Sequence, residues 1–138
     1  MRAALFAFVI LVSSLAADAA EKFATDEAVR AGMTAIRDLV RINHSLVTHR
    51  RMPPDHAQRF AKQIRVEADG IRAKSRIPGE AKAKLDALLD EIVAGVEAVA
   101  RPASGTAALD GIVRADEALA RYPQEFHHPG WAPLQALP

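Results

Sequence analysis

Apolar residues recur at three- and four-residue intervals through most of the chain, and each such run stops at a proline or glycine. From Thr25 to about His49, Val29, Met33, Ile36, Val40, Asn43 and Val47 fall on one stripe at about 100° per residue, widened by Leu39 and Leu46. Arg30, Arg37, Asp38, Arg41, Ser45 and Thr48 fall opposite. Thr25 is placed to cap this first helix, with Asp26 and Glu27 in a first turn where the macrodipole favours acids. Pro53-Pro54 ends it, because the residue before a proline is pushed out of the α region. A second helix starts at Pro54 and runs to about Lys74, with Ala57, Phe60, Ala61, Ile64, Ala68 and Ile71 on its stripe. After the break Ser75-Arg76-Ile77-Pro78-Gly79, a third runs from Glu80 to about Ala100 and carries Leu85, Leu88, Leu89, Ile92, Val96 and Val99. Arg101-Pro102-Ala103-Ser104-Gly105 breaks the pattern again. The fourth, about Thr106 to Tyr122, carries Leu109, Ile112, Ala115, Leu119 and Tyr122.

No β-rich alternation interrupts this rhythm. Four amphipathic helices with short connections favour antiparallel neighbours, so the pattern predicts an all-α, up-down-up-down four-helix bundle over residues 20–122. Pro123 opens an irregular tail over 123–138 that the prolines keep from extending the fourth helix. That tail carries Phe126 and Trp131, rings of about 150–250 Å² each, so it is expected to fold back on the bundle end near Val29 and Met33. Pro129-Gly130 would make the turn.

The first residues carry a different pattern. Arg2 precedes the ten-residue apolar run Ala3–Val12, and Ala17-Asp18-Ala19 suits signal peptidase, so residues 1–19 read as a signal peptide. The run is shorter than the roughly 20 residues needed to cross a bilayer. The expected mature chain is exported, periplasmic or secreted, and makes no membrane contact after cleavage. Eighteen basic residues against seventeen acidic ones leave a charge of +1, with no basic field for nucleic acid. Cysteine is absent, which excludes disulfides, thiolate metal sites, thiol nucleophiles and the Cys-x-x-Cys-His attachment of haem.

The chemical inventory is then five histidines and the methionines. No nucleotide loop, His-Glu-x-x-His or Gly-x-Ser-x-Gly motif occurs, and no nucleophile–base pair can be read, so the chain is expected not to be an enzyme. His49, Met52 and His56 cluster at the turn between the first two helices, and imidazole with thioether suits copper, although Arg50 and Arg51 beside them repel cations. The bland reading of the same residues is a solvated turn. His44 reads as a helix-surface residue. At the other end, Met33 stands opposite His127 and His128, a set that could hold a cofactor; the bland reading is a core methionine and two tail histidines. Asn43 and Asp116 lie near the core stripes, and Asp116 is expected to reach solvent, toward an arginine. Asn43-His44-Ser45 matches a glycosylation triplet but falls in mid-helix.

Two resemblances follow from these residues. The Met33 and tail-histidine layout resembles the axial pair of periplasmic four-helix-bundle cytochromes of the haem-b type, whose bundle is shared by cytochrome c-prime; it implies haem b and electron transfer. Tyr122 with Phe126-His127-His128-Pro129-Gly130-Trp131 is similar to the Tyr-x-x-Phe-x-His-Pro-Gly-Trp ending of a small group of exported proteobacterial helical proteins. Ile77-Pro78-Gly79-Glu80-Ala81 stands where that group has a Leu-Pro-x-Glu-Ala start to its third helix, while Ser75 replaces the group's cysteine and the third helix has no histidine. The resemblance implies a helical fold and export. The sequence thus points to a small, exported, non-enzymatic binding protein for copper or haem. Two alternatives stay open: a haem-b electron carrier using Met33 and a tail histidine, and a structural or stress-related periplasmic helper that binds a protein partner or a second copy of itself.

Overall fold

Residues 21–101 and 106–134 are described by the structure, a computed structural model. The expected signal peptide lies outside the described residues, as do the end of the tail and the 102–105 break. Four helices carry the fold: α1 (Glu27–Thr48), α2 (Pro54–Lys74), α3 (Gly79–Ala100) and α4 (Ala107–Glu125). Two short strands flank them, β1 (Phe23–Ala24) and β2 (Phe126–His127), paired in parallel with Phe23 opposite Phe126. Each helix packs against the next, and α4 returns to α1, so the protein is an all-α four-helix bundle. The start of α1 lies beside the ends of α2 and α4, since Asp26 bonds Ser75 and Arg76, and Thr25 bonds His127. The start of α2 lies beside the end of α3, where the Gln58 amide reaches the Ala100 carbonyl.

The core is built from the stripes. Every stripe residue from Val29 to Val47 in α1, Ala57 to Ile71 in α2 and Leu85 to Val99 in α3 is buried, except the widening Leu39 and Leu46, which are half-buried. Burial of these aliphatic side chains, worth about 1.5–3 kcal/mol each, is what holds helices whose own propensity is marginal. In α4, Ile112, Ala115, Leu119 and Tyr122 are buried, and Leu109 is half-buried.

Three local expectations are corrected. Asp26, not Thr25, caps α1: its carboxylate accepts from the Val29 N–H at 3.0 Å, and its other oxygen accepts from Ser75 Oγ at 3.0 Å and Arg76 N–H at 2.7 Å. Burial alone would raise its pKa, but the bonds from Arg76, Val29 and Ser75 outweigh that and hold the carboxyl below its ordinary value. Thr25 instead donates to the His127 carbonyl at 2.7 Å. Second, α4 runs through Pro123 to Glu125. A proline costs least where few helical bonds remain to lose, and the Phe126 N–H still closes on the Tyr122 carbonyl. Third, the alternation-free sequence hides one strand pair, because two residues on each side are too few to show a period.

Candidate functional site

Tyr122 ends the buried stripe of α4, and the rings of Phe126, His128 and Trp131 gather around it. Phe126, on β2, is fully buried and stacks on the Tyr122 ring at 5.4 Å, with Phe23 of β1 on its far side at 5.6 Å. Gly130 takes φ +77°, and the Trp131 N–H donates to the His128 carbonyl at 3.1 Å, which closes a tight turn with Pro129. That turn sets His128 and Trp131 edge-on to Tyr122 at 5.7 and 4.8 Å. From α1, the Arg37 guanidinium lies 5.0 Å over the Trp131 ring and donates to the Ala132 carbonyl at 3.1 Å. On the sequence pattern Arg37 belongs to the solvent face, yet its side chain is only 12% exposed. No periodic signal marks it, because its partner is tail backbone.

The polar tips fix one tautomer here. Tyr122 Oη and His128 Nδ1 lie 2.9 Å apart. Burial pushes the Tyr122 hydroxyl far above the ordinary phenol range, so it stays protonated and donates. Burial, with the nearby Arg30 and Arg37 charges, pushes His128 below its ordinary value, so its neutral Nδ1 accepts and Nε2 carries the hydrogen. His127 is exposed on β2. Both histidines, with Lys22, Pro123, Phe126, Trp131 and Pro133, line a cleft of about 310 Å³. Met33 is fully buried in the core and is not among the residues lining that cleft.

At the opposite end, the three turn residues meet different surroundings. His49 Nδ1 donates to the Ser45 carbonyl at 2.8 Å. Met52 packs on the core at the edge of an apolar pocket with Leu46, Val47 and Val99. His56 Nε2 donates to Asn43 Oδ1 at 2.7 Å, while the Asn43 amide donates to the Leu39 carbonyl at 2.8 Å. Each histidine keeps one ring nitrogen without a bond among the described residues. Within those residues, no group of three or more histidine or carboxylate side chains is placed to hold a metal ion. Asn43 is 4% exposed, which leaves the glycosylation triplet closed.

One pair spans two helices. His44 Nε2 and Asp116 Oδ2 are 2.7 Å apart across α1 and α4. Asp116 therefore meets a histidine where an arginine was expected, and the supposed surface histidine is a cross-helix partner. Burial raises the Asp116 pKa, and the bond to His44 works against that rise. Its other oxygen, Oδ1, is buried without a partner among the described residues. A stripe angle could mark Asp116 as near-core, but only the rotation of α4 against α1 decides that His44 faces it.

Comparison with models of protein families, with curated proteins and with solved structures finds no match to this chain. Its chemistry rests on its own geometry.

Proposed function

We propose that this protein is an exported, non-enzymatic binding protein of the periplasm, and that it takes its ligand at the tail end of the bundle through His127. The observation that carries this is the cleft of about 310 Å³ in which an exposed imidazole stands beside Phe126 and Trp131. That volume falls at the low end of the roughly 300–1,000 Å³ usual for small-molecule sites. His128 supports the site without being its ligand: its Nδ1 is taken by Tyr122, and the remaining nitrogen carries the hydrogen. The ligand class is one that accepts an imidazole nitrogen, a copper ion or haem. A haem gripped by Met33 as well does not fit the packed state, since Met33 is enclosed by the core and stands outside the cleft.

The test is an absorption spectrum and metal analysis of the protein purified from a periplasmic extract, followed by titration with Cu(I) and with haem. Wild type should bind one of the two and the His127→Ala variant should not. Loss of binding in Met33→Ala but not in His127→Ala would move the site to the core. Binding lost only in the triple alanine variant at His49, Met52 and His56 would move it to the turn. No binding of either ligand by wild type ends the reading.

A further inference from the structure

A second cleft, of about 490 Å³, lies between α2 and the end of α3, away from the tail. Its floor is low because Ala61 and Ala100 stand there, small side chains in a row otherwise long. Around that floor are four cations: Arg59, Lys62 and Arg65, three residues apart on one face of α2, and Arg101 at the end of α3. Facing them are one carboxylate in the cleft, Glu97, and one beside it, Asp55.

Several acceptors at this cleft already hold donors from within the protein. Arg65 donates from Nε and Nη2 to the same Glu97 oxygen at 3.1 and 2.6 Å. Arg59 donates to Asp55 Oδ2 at 2.9 Å. The Ala100 carbonyl, one of the orphan acceptors at the end of α3, receives the Gln58 amide at 2.6 Å. The donors left over are the remaining N–H groups of two guanidiniums held in place by their carboxylates, and two further cations; they outnumber the one Glu97 oxygen that takes no donor among the described residues. Among the described residues, neither Lys62 nor Arg101 has a carboxylate within 4.0 Å. Four positive groups against two negative ones leave the site two charges short of neutrality.

We infer that this cleft binds a phosphate-type anion carrying at least two negative charges. The planar guanidinium forks suit phosphate oxygens in pairs, and Lys62 adds a point charge that swings over the opening. The site is open to solvent, so binding weakens as salt rises. The same phosphate chemistry could be presented by a free condensed phosphate or by a lipid headgroup. This inference is independent of the tail reading, with which it shares no residue.

The competing explanation is that these cations only offset the negative end of the α3 dipole. The two part in solution. Amide NMR shifts are followed while pyrophosphate is titrated into the protein, with sodium chloride adjusted to hold ionic strength constant. Saturable shifts confined to residues 58–65 and Arg101 are expected. A Lys62→Ala/Arg101→Ala variant should bind about tenfold more weakly with unchanged helical circular dichroism, and Lys62→Arg should restore binding. Should the double variant fail to fold, Lys62→Glu alone, at an exposed position, carries the same expectation. Pyrophosphate binding without co-sedimentation on cardiolipin-containing vesicles, whose headgroup carries two phosphates, assigns the anion as free. Co-sedimentation on those vesicles but not on phosphatidylcholine, lost in the variant, assigns it to a headgroup. Shifts that grow linearly and spread over the molecule, or equal binding by the variant in both assays, would overturn the inference.

Discussion

Arg50 sits at φ +56°, in the left-handed region that an L side chain enters at a cost of roughly 1–2 kcal/mol. It is there because α1 closes on a six-residue C-terminal motif: the Arg51 N–H reaches the Leu46 carbonyl at 2.7 Å and the Arg50 N–H reaches the Val47 carbonyl at 3.0 Å. Glycine is the usual residue at that position, so Arg50→Gly should stabilise the protein by about 0.5–1 kcal/mol, read from the urea midpoint at unchanged slope. His128 gives a second residue-scale outcome, in pH. Its folded pKa is below the ordinary 6.5, so as pH falls through that value the unfolded chain takes up the proton before the folded one. Tail stability is therefore complete above about pH 6.5 and is lost as pH falls toward the folded pKa. The protonated ring can no longer accept from Tyr122, and its charge meets Arg30 and Arg37. Trp131 is the chain's one tryptophan, so its emission should shift to the red between pH 7.5 and 5, and the shift should vanish in His128→Gln. A flat profile in wild type would show that the imidazole does not lock the tail.

Glycines separate two kinds of helix contact. In α3 and α4, a Cβ at Gly95 would run into the Gly111 carbonyl, and a Cβ at Gly111 into the Gly95 carbonyl, so the two backbones touch with nothing between them. Backbone cannot swing aside as a side chain can, so Gly111→Ala has to push the helices apart, at a cost of about 1–3 kcal/mol that outweighs the propensity gain. Gly70, about one turn before the end of α2, has nothing within 4 Å of such a Cβ among the described residues. Gly70→Ala should then stabilise by about 0.5–1 kcal/mol. Equal effects of the two substitutions in urea melts would refute the close approach. The contrast also marks what the sequence makes legible. A helix writes its buried face into its own period, and so Val29 to Val47 or Leu85 to Val99 can be read without coordinates. Which faces meet is not written there. Gly95 against Gly111, and His44 against Asp116 across 72 residues, follow from helix rotation and spacing that no local pattern encodes. The same holds for Arg37, whose helix angle assigns it to solvent while the tail backbone holds it. Turn chemistry carried further: Gly130 takes the positive φ that Pro129-Gly130 suggests.

At the scale of the molecule, the two chain ends complete each other. β1 begins only three residues after Ala20, and it is the strand on which β2 lies, so cleavage after Ala19 would keep the closing pair. Mass spectrometry of the exported protein should therefore find Ala20 at its N-terminus; an intact Met1 in a cytoplasmic pool would sink the export proposal. The other half of the closure is the tail itself, and its weight can be measured by ending the chain after Glu125, which keeps α4 whole. That truncation removes Phe126, which is 1% exposed, together with the ring of Trp131, and it uncovers Tyr122 and Phe23. Loss of a buried Phe alone costs about 3–5 kcal/mol. In a domain of this size each kcal/mol moves the melting temperature by roughly 3–6 °C, so a drop of about 10 °C or more is expected. Phe126→Ala in the full chain should account for most of that drop, because Phe126 is fully buried while Trp131 is only half-buried. If truncation leaves the melting temperature unchanged, the aromatic cluster contributes no net stability, and the cleft it lines loses the rigid wall that a binding site there requires.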